Sequence, residues 1–248
     1  LQPADMDRIG AVITRTDATQ ASFPSDYPSH QQEKVFTCPF FMPYLERWES
    51  QQPPARPYDP LTFVFVGNQA HRKGLDHLLA LRAQIIRQAP ERQTRWIIVS
   101  NFQDGSDFDL SGCEVHTGLT GTQVQDLMAQ AHYLVLLTRQ DSHPKVCYEA
   151  AATGCGLLLS NIRPLRDIWP GSGSIVDLHE EGALGSLAEE LLAITEDQWE
   201  AISRHNRRRF VEGFCPSRAL ERYQEVIEYV AAQQPTSPPT TPIAALSR

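Results

Sequence analysis

Between residues 61 and 232 the chain alternates short continuous apolar runs with segments whose apolar positions recur at helical spacing. Leu61 to Val66 is apolar, β-branched and aromatic, the length of one strand. A polar loop follows, then Leu75, Leu78, Leu79, Ile85 and Ile86 at largely helical spacing. Trp96 to Val99 predicts the next strand and Val115 marks a short one. Val124, Leu127, Met128 and Ala131 share a helix face, and Tyr133 to Leu137 is another buried strand. A short helix over Val146 to Thr153 leads to a strand at Gly156–Ser160, and Ser174–Val176 closes the series. Helices near 183–194, 196–212 and 217–232 complete the pattern. Strands apolar on both faces and alternating with helices predict an α/β fold: a doubly wound parallel sheet, Rossmann-like, with a helical C-terminus.

The flanks read differently. Residues 51–60 hold four prolines, which suit neither a helix interior nor a central strand, so a linker is expected. Residues 233–248 are Pro-rich and predict a disordered tail. Ala11–Thr14 and Lys34–Thr37 are strand candidates, but 1–50 carries too little apolar material for a core of its own. The expected organisation is therefore 1–60 as the end of a preceding domain plus linker, 61–232 as the main domain, and 233–248 as tail. The chain opens on Leu1 and its first thirty residues lack a signal-peptide layout, so a fragment of a longer protein is expected.

Composition narrows the function. The 248 residues carry 30 acidic and 22 basic side chains, net −8, which argues against a nucleic-acid phosphate-backbone binder. No apolar run nears the roughly 20 residues of a membrane-spanning helix, so a soluble, cytoplasmic protein is expected. The five cysteines contain no Cys-x-x-Cys pair and suit reduced, buried thiols. Neither they nor the histidines show metal-ligand spacing, so no metal is expected.

In an open parallel sheet, ligands sit outside the carboxyl ends of the strands, and two loops there have matching chemistry. The first, Gly67 to Gly74, is neither a Walker loop nor Gly-x-Gly-x-x-Gly. Gly67 lets backbone approach a ligand, and Lys73 places a cation where a helix begins, which suits a diphosphate. A solvated basic turn is the simpler reading of this loop taken alone. The second loop runs from Thr138 to Glu149. Pro144 suits a first helical turn, leaving the amides of 145–147 as donors for an anion. Glu149, one turn on, can accept paired ribose hydroxyls, and Asp141 approaches the same pocket. The competing reading makes Glu149 a charge complement to the helix dipole.

From Phe63 to about Tyr229 the chain resembles the C-terminal, donor-binding half of the GT-B glycosyltransferases of the group 1 (family 4) class. The resemblance rests on the Gly67…Lys73-Gly74-Leu75-Asp76 entry, the Val115–Thr120 turn and the acid-x7-Glu block from Asp141 to Glu149 into Gly154. It implies transfer of a sugar from a nucleotide-diphospho-sugar, with retention of configuration, to a carbohydrate or lipid-linked acceptor. The donor is a substrate, so no cofactor is implied. By the same resemblance Lys73 contacts the diphosphate and Glu149 the ribose. Asp141 and the backbone of His143, Pro144, Lys145 and Val146 face sugar and phosphates, Gly67 and Asn68 border the diphosphate, and Gly118 and Leu119 border the base. Lys73, Asp141 and Glu149 are the catalytic candidates.

Two positions depart from the family pattern. Asn68 stands where arginine is common, with Arg72 or Arg139 as candidates to replace its charge, and Asp141 stands where glutamate is usual. These departures keep two alternatives open: a non-catalytic nucleotide-sugar-binding module, or a nucleotide-sugar epimerase on the same architecture. Residues 8–48 similarly resemble the end of the acceptor domain and its hinge. The run Arg204–Arg209 reads either as a contact for an anionic membrane or lipid-linked acceptor or, more simply, as a solvated helix face.

Overall fold

A computed structural model describes residues 8–15, 20–21, 28–103, 105 and 107–233. The secondary structure runs β1 (Val12–Thr14), α1 (Ser29–Gln32), β2 (Val35–Thr37), a 3-10 turn at Pro43–Leu45, α2 (Arg47–Ser50), β3 (Leu61–Val66), α3 (Ala70–Lys73) and α4 (Leu75–Gln88). It continues through β4 (Thr94–Val99), β5 (Glu114–His116), α5 (Gly121–Met128), β6 (Tyr133–Leu136), α6 (Lys145–Ala152), β7 (Gly156–Ser160), α7 (Arg163–Ile168) and β8 (Gly173–Val176). Helices α8 (Ala183–Ala193), α9 (Glu196–Arg209) and α10 (Pro216–Gln233) follow, with a π-turn at Phe210–Phe214 between the last two. The expected 196–212 helix thus changes from α to π at Phe210, and α10 begins at Pro216.

The described residues divide into two compact units, a larger one within 39–219 and a smaller one from the described residues of 8–38 with 220–233. The segment 39–60, grouped by sequence with the preceding piece, packs into the larger unit. The Pro-rich tail beyond Gln233 lies outside the described residues. In the smaller unit β1 pairs in parallel with β2, Val12 opposite Val35. There the Phe36 and Tyr229 rings meet edge-on at 4.9 Å, so Tyr229 is a packing residue.

The larger unit is built on a six-stranded, all-parallel sheet in the order β5-β4-β3-β6-β7-β8. This is the expected doubly wound sheet. Alternation along the strands feeds two cores. Val64, Ile97 and Leu134 face the helices α5 and α6, while Phe63, Phe65, Ile98 and Val135 face α4 and α8. Phe63 lies stacked between Trp96 at 4.2 Å and Tyr133 at 5.9 Å, ordering the centre of the second face. Each fully buried side chain of this size contributes about 1.5–3 kcal/mol. Because both faces are covered, the strands carry no polar face, and that is why they read as continuous apolar runs.

β3 and β6 are neighbours, yet the chain leaves β3 toward β4 on one side and β6 leads on to β7 on the other. The order reverses between them. Their carboxyl ends therefore flank an open crevice, and the loops 67–74 and 138–144 emerge on either side of it.

Candidate functional site

A cavity of about 240 Å³ lies beside this crevice. Val66 and Val99 form strand ends at its base; Gly67–Asn68, Ser100–Asn101 and Gly118–Leu119 supply its rim, and Glu149 closes one wall. Three of those loops are stitched together. The Asn101 amide donates to Oδ1 of Asn68 at 3.1 Å, and the Gly118 amide donates to Oδ1 of Asn101 at 2.8 Å. The Gln103 amide adds a bond to the Asn68 carbonyl at 2.8 Å. Gly118 sits at φ 67°, the left-handed region that glycine enters without Cβ strain. Asn68 thus fastens the rim where an arginine was expected to supply charge.

Helix α6 enters the site behind Pro144, which occupies the N-cap position with φ −72° and ψ 114°, not the first turn. Of the three amides expected as anion donors, that of Cys147 is turned to the Pro144 carbonyl at 3.1 Å, closing the first turn on itself. The amides of Lys145 and Val146 remain at the helix start. The His143 amide donates to Oδ1 of Asp141 at 3.1 Å, and the His143 ring stacks on Tyr148 at 5.4 Å with Phe40 edge-on at 4.8 Å. Lys145 is exposed, its ammonium 5.2 Å from the Phe40 ring centre.

Glu149 follows one turn later, its Oε1 accepting a hydrogen bond from the Tyr44 hydroxyl at 2.6 Å. Burial raises the Glu149 carboxyl above the usual carboxylate range, opposed by Tyr44 and by the Lys145 charge. Burial, with the adjacent carboxylate, holds the Tyr44 phenol well above its ordinary value.

Lys73 is placed differently from expectation. It ends the separate turn α3; α4 begins only after Gly74. Gly74 has φ 84°, and a Cβ there would lie 2.0 Å from the Leu137 carbonyl oxygen, so a glycine break brings this loop against the end of β6. The stem of Lys73 packs on Gly67, where an added Cβ would sit 2.9 Å from Cγ of Lys73. Its ammonium forms an ion pair with Asp141, the two side chains 16% and 11% exposed. The two candidates are thus joined to each other, and neither borders the cavity that Glu149 lines.

Both candidate replacement cations bond to protein groups. Arg72 donates to the Gln140 carbonyl at 2.8 Å. Arg139 grips Asp76 at 2.8 and 2.6 Å and the His71 carbonyl at 2.7 Å. These bonds lock the two crevice loops together. The basic run of α9 is likewise partly structural. Arg207, 7% exposed, donates to the carbonyls of Trp48 and Gln51, and Arg209 to those of Ile168 and Pro170. Arg204 pairs with Glu200 at 2.8 Å. Neither a uniformly solvated face nor a continuous basic patch describes it.

Among the described residues no helix is long and apolar enough to cross a membrane, and no three His, Cys, Asp or Glu side chains gather as a metal site. Sequence reasoning missed Tyr44, Ser100 and Asn101. Tyr44 was hidden in residues 1–50, read as the end of a preceding domain, though the aromatic set Phe40, Phe41, Tyr44 and Trp48 was a signal that it packs.

No curated protein matches the chain. Among solved structures it is similar to TarM, with TM-score 0.67 at 13% identity over 90% of this chain and 44% of that one. It is similar to the pneumococcal O-GlcNAc transferase GtfA in complex with UDP and GlcNAc, with TM-score 0.65 at 16% identity over 93% and 47%. WaaG, a glycosyltransferase involved in lipopolysaccharide biosynthesis, gives TM-score 0.64 at 17% identity over 86% and 62%. The chain therefore spans about half the length of these structures, and at such identities the likeness establishes the GT-B fold. A sequence-family profile, glycosyl transferases group 1, matches residues 60–197, more than half of the chain. The chain belongs to the group 1 glycosyl transferases.

Proposed function

We propose that the larger unit is the donor-binding half of a retaining glycosyltransferase that uses a nucleotide-diphospho-sugar. The observation that carries the reading is Glu149: a partly buried carboxylate on the wall of a cavity at the carboxyl ends of the strands. A ribose presents two adjacent hydroxyl donors, and a carboxylate presents two acceptor oxygens at matching spacing. The base lies along Gly118 and Leu119, and the diphosphate lies across Gly67 toward the Lys145 and Val146 amides at the start of α6. Negative charge that develops on the departing diphosphate is met there by the helix N-terminus, and by Lys73 once Asp141 releases it. Asp141, freed in the same exchange, faces the sugar. These groups do the work of a divalent cation, so the reading needs no metal and no cofactor. The acceptor is a carbohydrate or lipid-linked sugar held by residues beyond this unit, and the reaction is cytoplasmic. UDP, bound by the pneumococcal relative, is the first probe.

A module that binds without transferring is favoured by one observation, the Lys73–Asp141 pair, which occupies the cation expected at the diphosphate. Calorimetric titration tests the common part of both readings. Glu149→Ala is expected to weaken a nucleoside diphosphate about tenfold, near 1.4 kcal/mol, and to leave inorganic diphosphate unchanged. An equal loss for both ligands would reduce Glu149 to a helix-dipole complement and remove the ribose subsite.

A further inference from the structure

The segment 40–48 lies against α5 and α6 and is anchored at closely spaced points. Met42, Leu45 and Trp48 are buried, each 2% exposed or less. The Trp48 indole donates to Oε1 of Gln125 at 2.8 Å, and Arg47 pairs with Asp126 at 2.7 Å. Between these anchors Tyr44 is 40% exposed. Its ring lies over Gly121, where an added Cβ would come within 3.7 Å, and its hydroxyl reaches Glu149. Gly121 and Glu149 both border the cavity.

We propose that Tyr44 is a ligand-displaced cover on the ribose subsite, setting ribonucleotide affinity by competing with the sugar hydroxyls for Glu149. This rests on the reading of Glu149 given above. The competition follows from chemistry. A phenol O–H and a ribose O–H are the same kind of donor, and a hydrogen bond to an ionised acceptor is among the stronger ones. A diol bound to both carboxylate oxygens must share Oε1 with the Tyr44 hydroxyl 2.6 Å away, and the crowding of two donors on one oxygen favours the release of Tyr44. With the backbone held at Met42, Leu45 and Trp48, the exchange requires only a turn of the Tyr44 side chain toward solvent. A ligand without the two hydroxyls has nothing to offer Glu149 and leaves Tyr44 in place.

The test uses the full chain, the tightest binder among UDP, GDP and ADP, and its 2′,3′-dideoxy counterpart. Tyr44→Phe keeps the ring and removes the hydroxyl. It is expected to tighten the ribonucleotide three- to tenfold while changing the dideoxy ligand less than twofold. The double variant Tyr44→Phe with Glu149→Ala is expected to bind the ribonucleotide no better than Glu149→Ala alone. Unchanged or weaker ribonucleotide binding in Tyr44→Phe overturns the cover, as does an equal gain for both ligands. The underlying reading fails separately: Glu149→Ala with wild-type ribonucleotide affinity, or no nucleotide bound at all, removes the ribose subsite and the cover with it. Loss in Glu149→Ala without gain in Tyr44→Phe removes the cover alone.

Discussion

Lys73 and Asp141 form an ion pair that joins the loop after β3 to the loop after β6, directly across the point where the sheet order reverses. The same two side chains carry the cation and the acid that the family pattern assigns to the donor. Each neutralises the other, so under the reading proposed above a diphosphate competes with Asp141 for Lys73.

That competition predicts opposite effects for the two partners. Asp141→Asn, which keeps the shape and removes the charge, should tighten inorganic diphosphate several-fold, with the gain shrinking as salt is added. Lys73→Ala should weaken it and should also destabilise the fold, since it leaves Asp141 unpaired in a mostly buried site. Breaking a fully buried pair costs about 3–5 kcal/mol, and the residual exposure here brings the expectation to about 1–3 kcal/mol. Calorimetry for binding and urea unfolding for stability read the two effects separately. Weaker diphosphate binding in Asp141→Asn would mean that the carboxylate holds Lys73 in position for the anion and does not compete with it.

Asn68→Arg would place the family's usual cation at the cavity rim. The side chain it replaces accepts from the Asn101 amide, one link in the chain that reaches Gly118. The expected result is therefore mixed: about 1 kcal/mol of stability lost with that hydrogen bond, and tighter diphosphate binding that salt weakens. Thermal unfolding beside calorimetric titration at two ionic strengths checks both. A tighter, equally stable variant would show that the rim does not depend on Asn68.

His132 supplies a pH test of the core. It is buried between Tyr58 and Trp199, and its Nδ1 accepts from the Thr62 amide at 2.9 Å. Burial, reinforced by the Arg56 charge, lowers it from 6.5 to about 4. The native state thus resists protonation while the unfolded chain accepts the proton near pH 6.5. Stability from this group is whole above that pH, falls as pH drops toward 4, and levels off below. A shift of this size corresponds to about 3 kcal/mol. Urea unfolding of the wild type and of His132→Gln between pH 7 and pH 4 should show the extra loss in the wild type only. Parallel curves would place the loss in other groups.

The sequence by itself determined the sheet, its parallel sense and the place to look for a site. Strands covered on both faces carry no polar alternation, so Leu61–Val66, Tyr133–Leu136 and Gly156–Ser160 stand out as unbroken apolar runs, and helices between them dictate parallel crossovers. The loops at Gly67 and Asp141 were legible because each follows a buried strand, and ligands of an open parallel sheet sit outside the carboxyl ends of its strands. What tertiary structure decided is which of those charges remain available. Lys73 lies at the end of α3 and pairs with Asp141 because Gly74 breaks the helix against Leu137, a contact 63 residues away in sequence that no local pattern encodes. Arg72 and Arg139 read as candidate ligand cations and Arg207 and Arg209 as part of a basic helix face, yet each donates to backbone carbonyls of other segments. Tyr44 meets Glu149 for the same reason: 105 residues separate them, and only the packing of the segment 40–48 on α5 and α6 brings the phenol to the carboxylate. Local sequence sets backbone preference and face; partners for a charge are chosen by whatever the fold places within about 3 Å.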